Sequence, residues 1–203
     1  MATVFWGDSM INGMYLDATA MAPYTGVDHV VYNGAVGGQD AAYLLAQFDA
    51  QPWRRHWAQV FWFGQHINGT AAAEVANVVA MVDQLDHDKF VVVSGSTDPH
   101  SATYQGPSGA QYLKVIEFNE TLETLYPTKF LDLLGIMVAD GVANADSQSV
   151  DYGGPPSYWC PTDIHFNSAG YVKAALEIST LQISLGHLSD AELVRQIAVT
   201  GGR

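Results

Sequence analysis

The chain has 203 residues, enough for one domain with a sizeable core, and hydrophobic residues make up 48% of it, which excludes a largely disordered chain. The formal net charge is −13, with only eight Lys and Arg residues, so nucleic acid and anionic membranes are not expected as partners. The single cysteine, Cys160, excludes a disulfide within the chain.

Five short apolar runs predict the strands of one sheet. They are Thr3–Trp6, His29–Tyr32, Gln59–Phe63, Phe90–Val93 and Phe130–Leu133. The runs are rich in Val and Phe and show little alternation of polar and apolar residues. This pattern is typical of parallel strands that are buried on both faces.

Three longer segments have apolar residues at helical spacing. They are Ala71–Leu85, which Thr70 is placed to cap, Ala110–Tyr126 and Ser168–Ile183. Strands that alternate with helices predict βαβ units with right-handed crossovers. We therefore expect an α/β fold: a three-layer α/β/α sandwich around a five-stranded parallel sheet in the flavodoxin-like order 2-1-3-4-5, in one domain over residues 1–203.

The remaining segments read as loops and a tail. Thr97–Gly109 and Asp140–Pro161 lack helical or strand periodicity and are expected to be long loops, which in compact domains are often functional. Asp190–Val199 is expected to form a last helix.

No leader peptide is recognisable, and no apolar stretch is long enough to span a bilayer. These features slightly favour a location in the cytoplasm. They leave secretion and the oligomeric state open.

Reactive side chains follow several of the predicted strands. In open α/β sheets, ligands bind beyond the carboxyl ends of the strands. At this edge of the predicted sheet, Gly7-Asp8-Ser9 follows the first strand, residues 33–38 follow the second and residues 64–68 follow the third. A fourth segment, residues 163–167, precedes the last long helix. Together these segments hold a hydroxyl, imidazoles, carboxylates and glycine amides, the groups that acyl transfer requires.

The order of these four blocks resembles the SGNH (GDSL-like) hydrolase family. That family has Gly-Asp-Ser at the end of the first strand, a glycine after the second, Gly-x-Asn after the third and Asp-x-x-His before the last helix. Residues 7–9, Gly38, Gly64 and His165 stand at the corresponding places, so that the resemblance spans about residues 4–171.

The resemblance implies a serine ester hydrolase that works through an acyl-enzyme and needs no metal or other cofactor. Ser9 is then the nucleophile and His165 the general base, with Asp163 orienting the imidazole. Asp163 lies two residues before His165 where the family has three, and Thr162 occupies the family position. Residues two apart in an extended segment share a face, so Asp163 remains our candidate.

The resemblance also implies an oxyanion hole. The backbone amides of Ser9 and Gly38 are two of its donors, and a side chain after the third strand is the third. Counting from Gly64, His66 stands where the family has Asn, while the nearest asparagine is Asn68. We expect His66 to be the donor and keep Asn68 as the alternative.

The sequence indicates the substrate less closely than it indicates the type of reaction. Tyr104, Tyr158 and Trp159 lie in the two long loops and are candidate substrate-binding residues, since aromatic rings stack on sugars. They favour removal of O-acetyl groups from a carbohydrate. A lysophospholipase, a thioesterase and a short-chain arylesterase are alternatives within the same chemistry. A catalytically degenerate module that binds glycans or serves as a structural part is the alternative from another class.

Overall fold

The computed structural model describes residues 2–24, 29–63, 67–162 and 164–188. The five strands are β1 (Ala2–Gly7), β2 (Val30–Asn33), β3 (Ala58–Trp62), β4 (Phe90–Val93) and β5 (Phe130–Leu131). They form one parallel sheet in the order β2-β1-β3-β4-β5, which confirms the predicted topology. The carboxyl ends of all five strands therefore lie at one edge.

Seven helices connect and cover the strands in the described residues. They are α1 (Ser9–Leu16), α2 (Ala41–Asp49), α3 (Ala71–Val82), α4 (Ala110–Leu125), α5 (Leu133–Ala143), α6 (Ser147–Tyr152) and α7 (Ser168–Ser184). The helices α1 and α7 pack on one face of the sheet, and α2, α3 and α4 pack on the other. None of these helices is long and apolar enough to cross a membrane.

Each face of the sheet carries its own apolar core. Side chains alternate along a strand, so Phe5 of β1 packs into the core beneath α1 and α7, whereas Val4 and Trp6 pack into the core beneath α2, α3 and α4. Since both faces are covered, all three residues are fully buried. This explains why the strand sequences are continuously apolar.

Two predicted segments near the end of the sheet were wrong. The strand expected over residues 130–133 ends at Leu131, because the side chain of Asp132 accepts a hydrogen bond of 2.9 Å from the amide of Gly135 and starts α5. The loop expected over residues 140–161 begins with the end of α5 and contains α6, which Asp146 caps. The helix expected over residues 190–199 lies outside the described residues.

Candidate active site

The sharp turn after β1 presents Ser9 at the carboxyl edge of the sheet. Asp8 caps α1, and its carboxylate accepts a hydrogen bond of 2.9 Å from the amide of Met10. Asp8 is 2% exposed, whereas Ser9 is half-buried and so accessible to a ligand. Burial raises the pKa of Asp8 to about 7, and the hydrogen bond from Met10 opposes that rise. Asp8 therefore supports the turn, and Ser9 is the more accessible of the two side chains.

His165 meets Ser9 from the other end of the sequence. Its Nε2 lies 2.9 Å from Ser9 Oγ, a hydrogen-bond distance between residues 156 positions apart. In a neutral imidazole with its proton on Nδ1, Nε2 carries the lone pair that can accept the hydroxyl proton. The His165 ring is exposed, and the neighbouring Phe166 is buried against Trp62 and Tyr171. The fold thus brings a hydroxyl and an imidazole together at an open site.

The segment after β2 passes directly against Ser9. A methyl group placed on Gly37 would lie 3.6 Å from Cβ of Ser9. The amide of Gln39 donates to the carbonyl of Val36 at 3.3 Å, which closes a turn with Gly38 at its third position. Gly38 has a φ of +73°, which a type II turn requires and which L side chains rarely adopt. Both glycines are exposed, and Gly37 is the one that adjoins the serine.

Side chains anchor the beginning of this segment. The amide group of Asn33 donates to Oδ1 of Asn12 in α1 at 2.8 Å, and Asn33 Oδ1 accepts from the amide of Ala35 at 3.0 Å. The amide of Val36 donates to the carbonyl of Gly7 at 3.0 Å. The Gly37-Gly38 turn is therefore tied both to the strand and to the helix that carry Ser9.

Two predicted site residues lie outside the described residues. They are His66, the expected third oxyanion donor, and Asp163, the expected triad carboxylate. Asn68, the alternative donor, is exposed, and its Nδ2 donates to Oδ2 of Asp40 at 3.1 Å. Asn68 thereby links the segment after β3 to the cap of α2. Both oxyanion assignments remain predictions.

The three aromatic candidates have different surroundings. Tyr104 is half-buried against the core beneath α4, and burial followed by the charges of Asp98 and Asp8 raises the pKa of its phenol. The Tyr158 ring meets Trp159 edge-on with centroids 5.1 Å apart, and 40% of Tyr158 is exposed. The structure therefore leaves the Tyr158 ring accessible and Tyr104 largely covered.

Several polar residues that surround the site were not predicted from the sequence. The Asn12–Asn33 pair was unremarkable because asparagine is common in turns. Asp40 directly precedes a helix, and this N-cap position is a signal that could have been recognised. Glu74 lies in the first turn of α3 on the same face as the buried Val78, and an acidic residue on an apolar face was a second available signal.

Solved structures of known hydrolases share this architecture. A lipase/acylhydrolase from Enterococcus faecalis superimposes with a TM-score of 0.62 at 15% identity, over 93% of this chain and 97% of that one. A member of the lipolytic protein G-D-S-L family from Veillonella parvula gives a TM-score of 0.60 at 13% identity, over 87% and 95%. The chain has the G-D-S-L hydrolase fold. This confirms, for the fold, the resemblance to SGNH hydrolases that the four sequence blocks indicated.

Other comparisons delimit that result. A gut microbial diltiazem-metabolizing enzyme matches with a TM-score of 0.63 at 16% identity, over 89% of this chain, and this chain spans only 46% of that one. No protein-family model and no curated protein matches the sequence. At these identities the neighbours establish the three-layer fold alone.

Proposed function

We propose that this protein is a serine ester hydrolase in which Ser9 is the nucleophile and His165 the general base. The observation that carries the proposal is the 2.9 Å distance between Ser9 Oγ and His165 Nε2 at the carboxyl edge of the sheet. A hydroxyl at hydrogen-bond distance from an imidazole is the arrangement that activates serine for attack on a carbonyl. The shared fold with G-D-S-L hydrolases adds support.

The proposed reaction has two halves. Ser9 Oγ attacks the ester carbonyl carbon while its proton moves to His165 Nε2, and the resulting tetrahedral intermediate collapses as His165 returns the proton to the leaving alcohol. Water then attacks the acyl-enzyme with the same proton transfers, which frees the acid and regenerates Ser9. Asp163 is the proposed partner that orients His165 and stabilises its cationic form.

The proposed oxyanion hole forms around the turn beside Ser9. The amides of Ser9 and Gly38 are two donors, and the left-handed turn at Gly38 supports the second assignment. His66 is the proposed third donor and Asn68 the alternative. Losing one such donor typically lowers the rate by about 10²- to 10³-fold.

The proposed substrate is an O-acetylated carbohydrate. His165 and the ring of Tyr158 are both exposed, so the site is open enough for a bulky alcohol with a short acyl group. Aromatic surfaces such as Tyr158 and Trp159 suit the apolar faces of sugar rings. Lysophospholipids, thioesters and aryl esters are the other substrates to compare.

A short-chain ester assay tests the proposal. Purified protein should hydrolyse p-nitrophenyl acetate faster than the butyrate and octanoate esters, and Ser9→Ala should lower kcat by at least about 10³-fold. Ser184→Ala, at the far end of α7, serves as the matched control and should retain wild-type activity. An acetylated oligosaccharide should then be a better substrate than a lysophospholipid.

Covalent labelling separates an enzyme from a degenerate module. A fluorophosphonate should modify Ser9 in the wild-type protein, and mass spectrometry should find Ser9→Ala unmodified. A folded wild-type protein that neither reacts with the probe nor hydrolyses any of the esters would contradict the proposal and favour the non-hydrolytic alternative.

A further inference from the structure

A buried carboxyl group outside the proposed catalytic residues contacts the amino end of α2. Glu74, in the first turn of α3, is 5% exposed, and its Oε1 accepts a hydrogen bond of 2.7 Å from the amide of Ala41. Ala41 is the first residue of α2, and the first amides of a helix have no partner within it. Glu74 therefore supplies from another helix an acceptor that α2 itself lacks.

A second carboxylate holds the same helix end. Asp40 caps α2: its Oδ1 accepts from the amide of Tyr43 at 3.0 Å, and its Oδ2 accepts from Nδ2 of Asn68 at 3.1 Å. The amino end of α2 is thus fastened to α3 through Glu74 and to the segment after β3 through Asn68. Of these two contacts, only the one made by Glu74 is buried.

This helix end lies only three residues beyond Gly38. The upstream side of the Gly37-Gly38 turn is fixed by the bond from Val36 to Gly7. The turn itself contains two exposed glycines, which have the greatest backbone freedom of any residue. The position of the Gly38 amide therefore depends on how firmly both ends of the segment are held, and Ala41 is the downstream end.

We propose that Glu74 is a positioning residue for the oxyanion hole: by holding the amide of Ala41, it fixes the Gly38 amide beside Ser9. This inference rests on the proposed function. A displacement of about 1 Å in a catalytic group can lower a rate by about 10²-fold, so loss of this contact should reduce kcat without reducing substrate affinity.

The surroundings of Glu74 raise its pKa but leave its contact with Ala41 intact. Burial raises the pKa of Glu74 to about 7. The hydrogen bond from Ala41 opposes this rise, and the negative charges of Asp40 and Asp8 add to it. An apolar residue would avoid this desolvation but would leave the buried amide of Ala41 without an acceptor. Either protonation state keeps an acceptor oxygen, so the contact persists on both sides of neutral pH.

Two substitutions separate the hydrogen bond from packing. Glu74→Gln keeps an acceptor oxygen at the same place, and Glu74→Met fills a similar volume without one. In p-nitrophenyl acetate hydrolysis, we expect Glu74→Gln to stay within about threefold of wild-type kcat, and Glu74→Met to lose about 10- to 100-fold with KM changed less than about twofold. Asp83→Asn, at the exposed carboxyl end of the same helix, is the control and should behave as wild type.

Amide hydrogen exchange gives a readout that does not depend on turnover. The Ala41 amide should exchange slowly in the wild type and in Glu74→Gln, and much faster in Glu74→Met. Wild-type kcat in a folded Glu74→Met protein would overturn the proposal. So would an unprotected Ala41 amide in the wild type, a measurement that remains decisive if Glu74→Met does not fold.

The same experiments separate this inference from the proposed function. If the wild-type protein hydrolyses no ester, the proposed function itself fails. If the wild type is active and Glu74→Met matches it in kcat, the ester hydrolase assignment stands and only the positioning role of Glu74 is wrong.

Discussion

The two segments that deliver Ser9 and His165 are held by different kinds of interaction. The Ser9 turn directly follows β1, whose last residue, Gly7, is paired with Trp62 of β3. Both Gly7 and Asp8 are buried, and a methyl group added to Gly7 would lie 2.2 Å from the carbonyl oxygen of Trp62. This turn is therefore part of the sheet and its core.

The His165 segment lies at the surface between a loop and α7. The amide of Asn167 donates to the carbonyl of Trp159 at 2.8 Å, and its side-chain Nδ2 donates to the carbonyl of Tyr158 at 2.8 Å. Phe166 provides an apolar anchor in the core. The side-chain bond from Asn167 to Tyr158 lies near solvent.

The difference separates stability from catalysis. Changes at the Ser9 turn disturb strand pairing and core packing, so they should lower the free energy of unfolding first. Changes around His165 disturb surface contacts that contribute little to global stability, so they should lower kcat first. The following substitutions test that division, from the largest expected effect to the smallest.

Gly7→Ala should have the largest effect, and it should be an effect on folding. The added methyl group meets a strand carbonyl and Ile11 Cγ1 at 2.7 Å, neither of which can move without disrupting β3 or α1. We expect a loss of about 3 kcal/mol in the free energy of unfolding, or about 10 °C in Tm. Gly69→Ala is the control, since no atom lies within 4 Å of its added methyl. Equal melting temperatures for the two variants would contradict the tight packing of the Ser9 turn.

Asp8 should make the stability of the same turn depend on pH. Its pKa is raised by burial from 3.8 to about 7, so the folded state binds the proton more tightly than the unfolded state. The resulting stabilisation is fully present below about pH 4 and is lost as pH rises through about 7. Raising the pH from 5 to 8 should therefore lower Tm by about 5 °C more in the wild type than in Asp8→Asn.

Asparagine keeps the oxygen that accepts from Met10 and removes the titration. Asp83→Asn, on the exposed end of α3, should leave the pH dependence of Tm as it is in the wild type. If Asp8→Asn and the wild type lost the same Tm between pH 5 and pH 8, Asp8 would not be the titrating group.

The parts of the fold that were predicted from sequence are those that depend on local patterns of residues. Continuous apolar runs identified all five strands, because burial on both faces of a parallel sheet leaves little room for polar residues. The fifth strand was drawn too long because Leu133 and Leu134 look the same in a strand as in the apolar start of α5. The capping bond from Asp132 to Gly135 decides between them, and Asp132 directly before the two leucines was a local N-cap signal.

The candidate site also contains features that were predicted from sequence and features that were not. The proximity of Ser9 and His165 was predictable because each stands at a fixed place relative to a strand or helix end, where parallel topology brings such residues together. The contact of Glu74 with α2 and the bond of Asn167 to Tyr158 were not predicted, because each depends on a partner in another segment. Glu74 binds an amide 33 residues away, and no periodicity in the sequence identifies that partner.

Substitutions of Asn167 should affect catalysis more than stability. Its Oδ1 caps α7 by accepting from the amide of Gly170 at 3.0 Å, while its Nδ2 binds the Tyr158 carbonyl. Asn167→Asp keeps the cap and loses the donor, so Tm should change little while kcat on p-nitrophenyl acetate falls about 10-fold. Asn167→Ala loses both and should also lose about 1 kcal/mol in the free energy of unfolding. Unchanged kcat in Asn167→Asp would mean that the bond to Tyr158 does not position His165.

Tyr158→Phe should have the smallest effect. The Tyr158 hydroxyl donates to Oδ2 of Asp140 at the surface, and Nδ2 of Asn144 donates to the hydroxyl at 3.4 Å. Partial burial, together with the hydrogen bond to Asp140, raises the pKa of Tyr158 to about 12, so the phenol remains a donor at every working pH. Phenylalanine removes these exposed contacts and keeps the edge-on packing with Trp159. An exposed hydrogen bond contributes about 1 kcal/mol at most, so Tm should fall by no more than about 4 °C and kcat by less than about threefold.

The same position also tests the proposed substrate, because stacking on a sugar requires the ring and not the hydroxyl. Tyr158→Phe should keep the wild-type KM for an acetylated oligosaccharide, whereas Tyr158→Ala should raise that KM several-fold and leave KM for p-nitrophenyl acetate nearly unchanged. Asn144→Ala, which removes the contact with the Tyr158 hydroxyl and a hydrogen bond to the carbonyl of Asp140 but leaves the ring in place, is the control for both variants. If Tyr158→Ala raised KM equally for the two substrates, the ring would be supporting the His165 segment through Trp159. The exposed aromatic surface would then have no part in recognising carbohydrate.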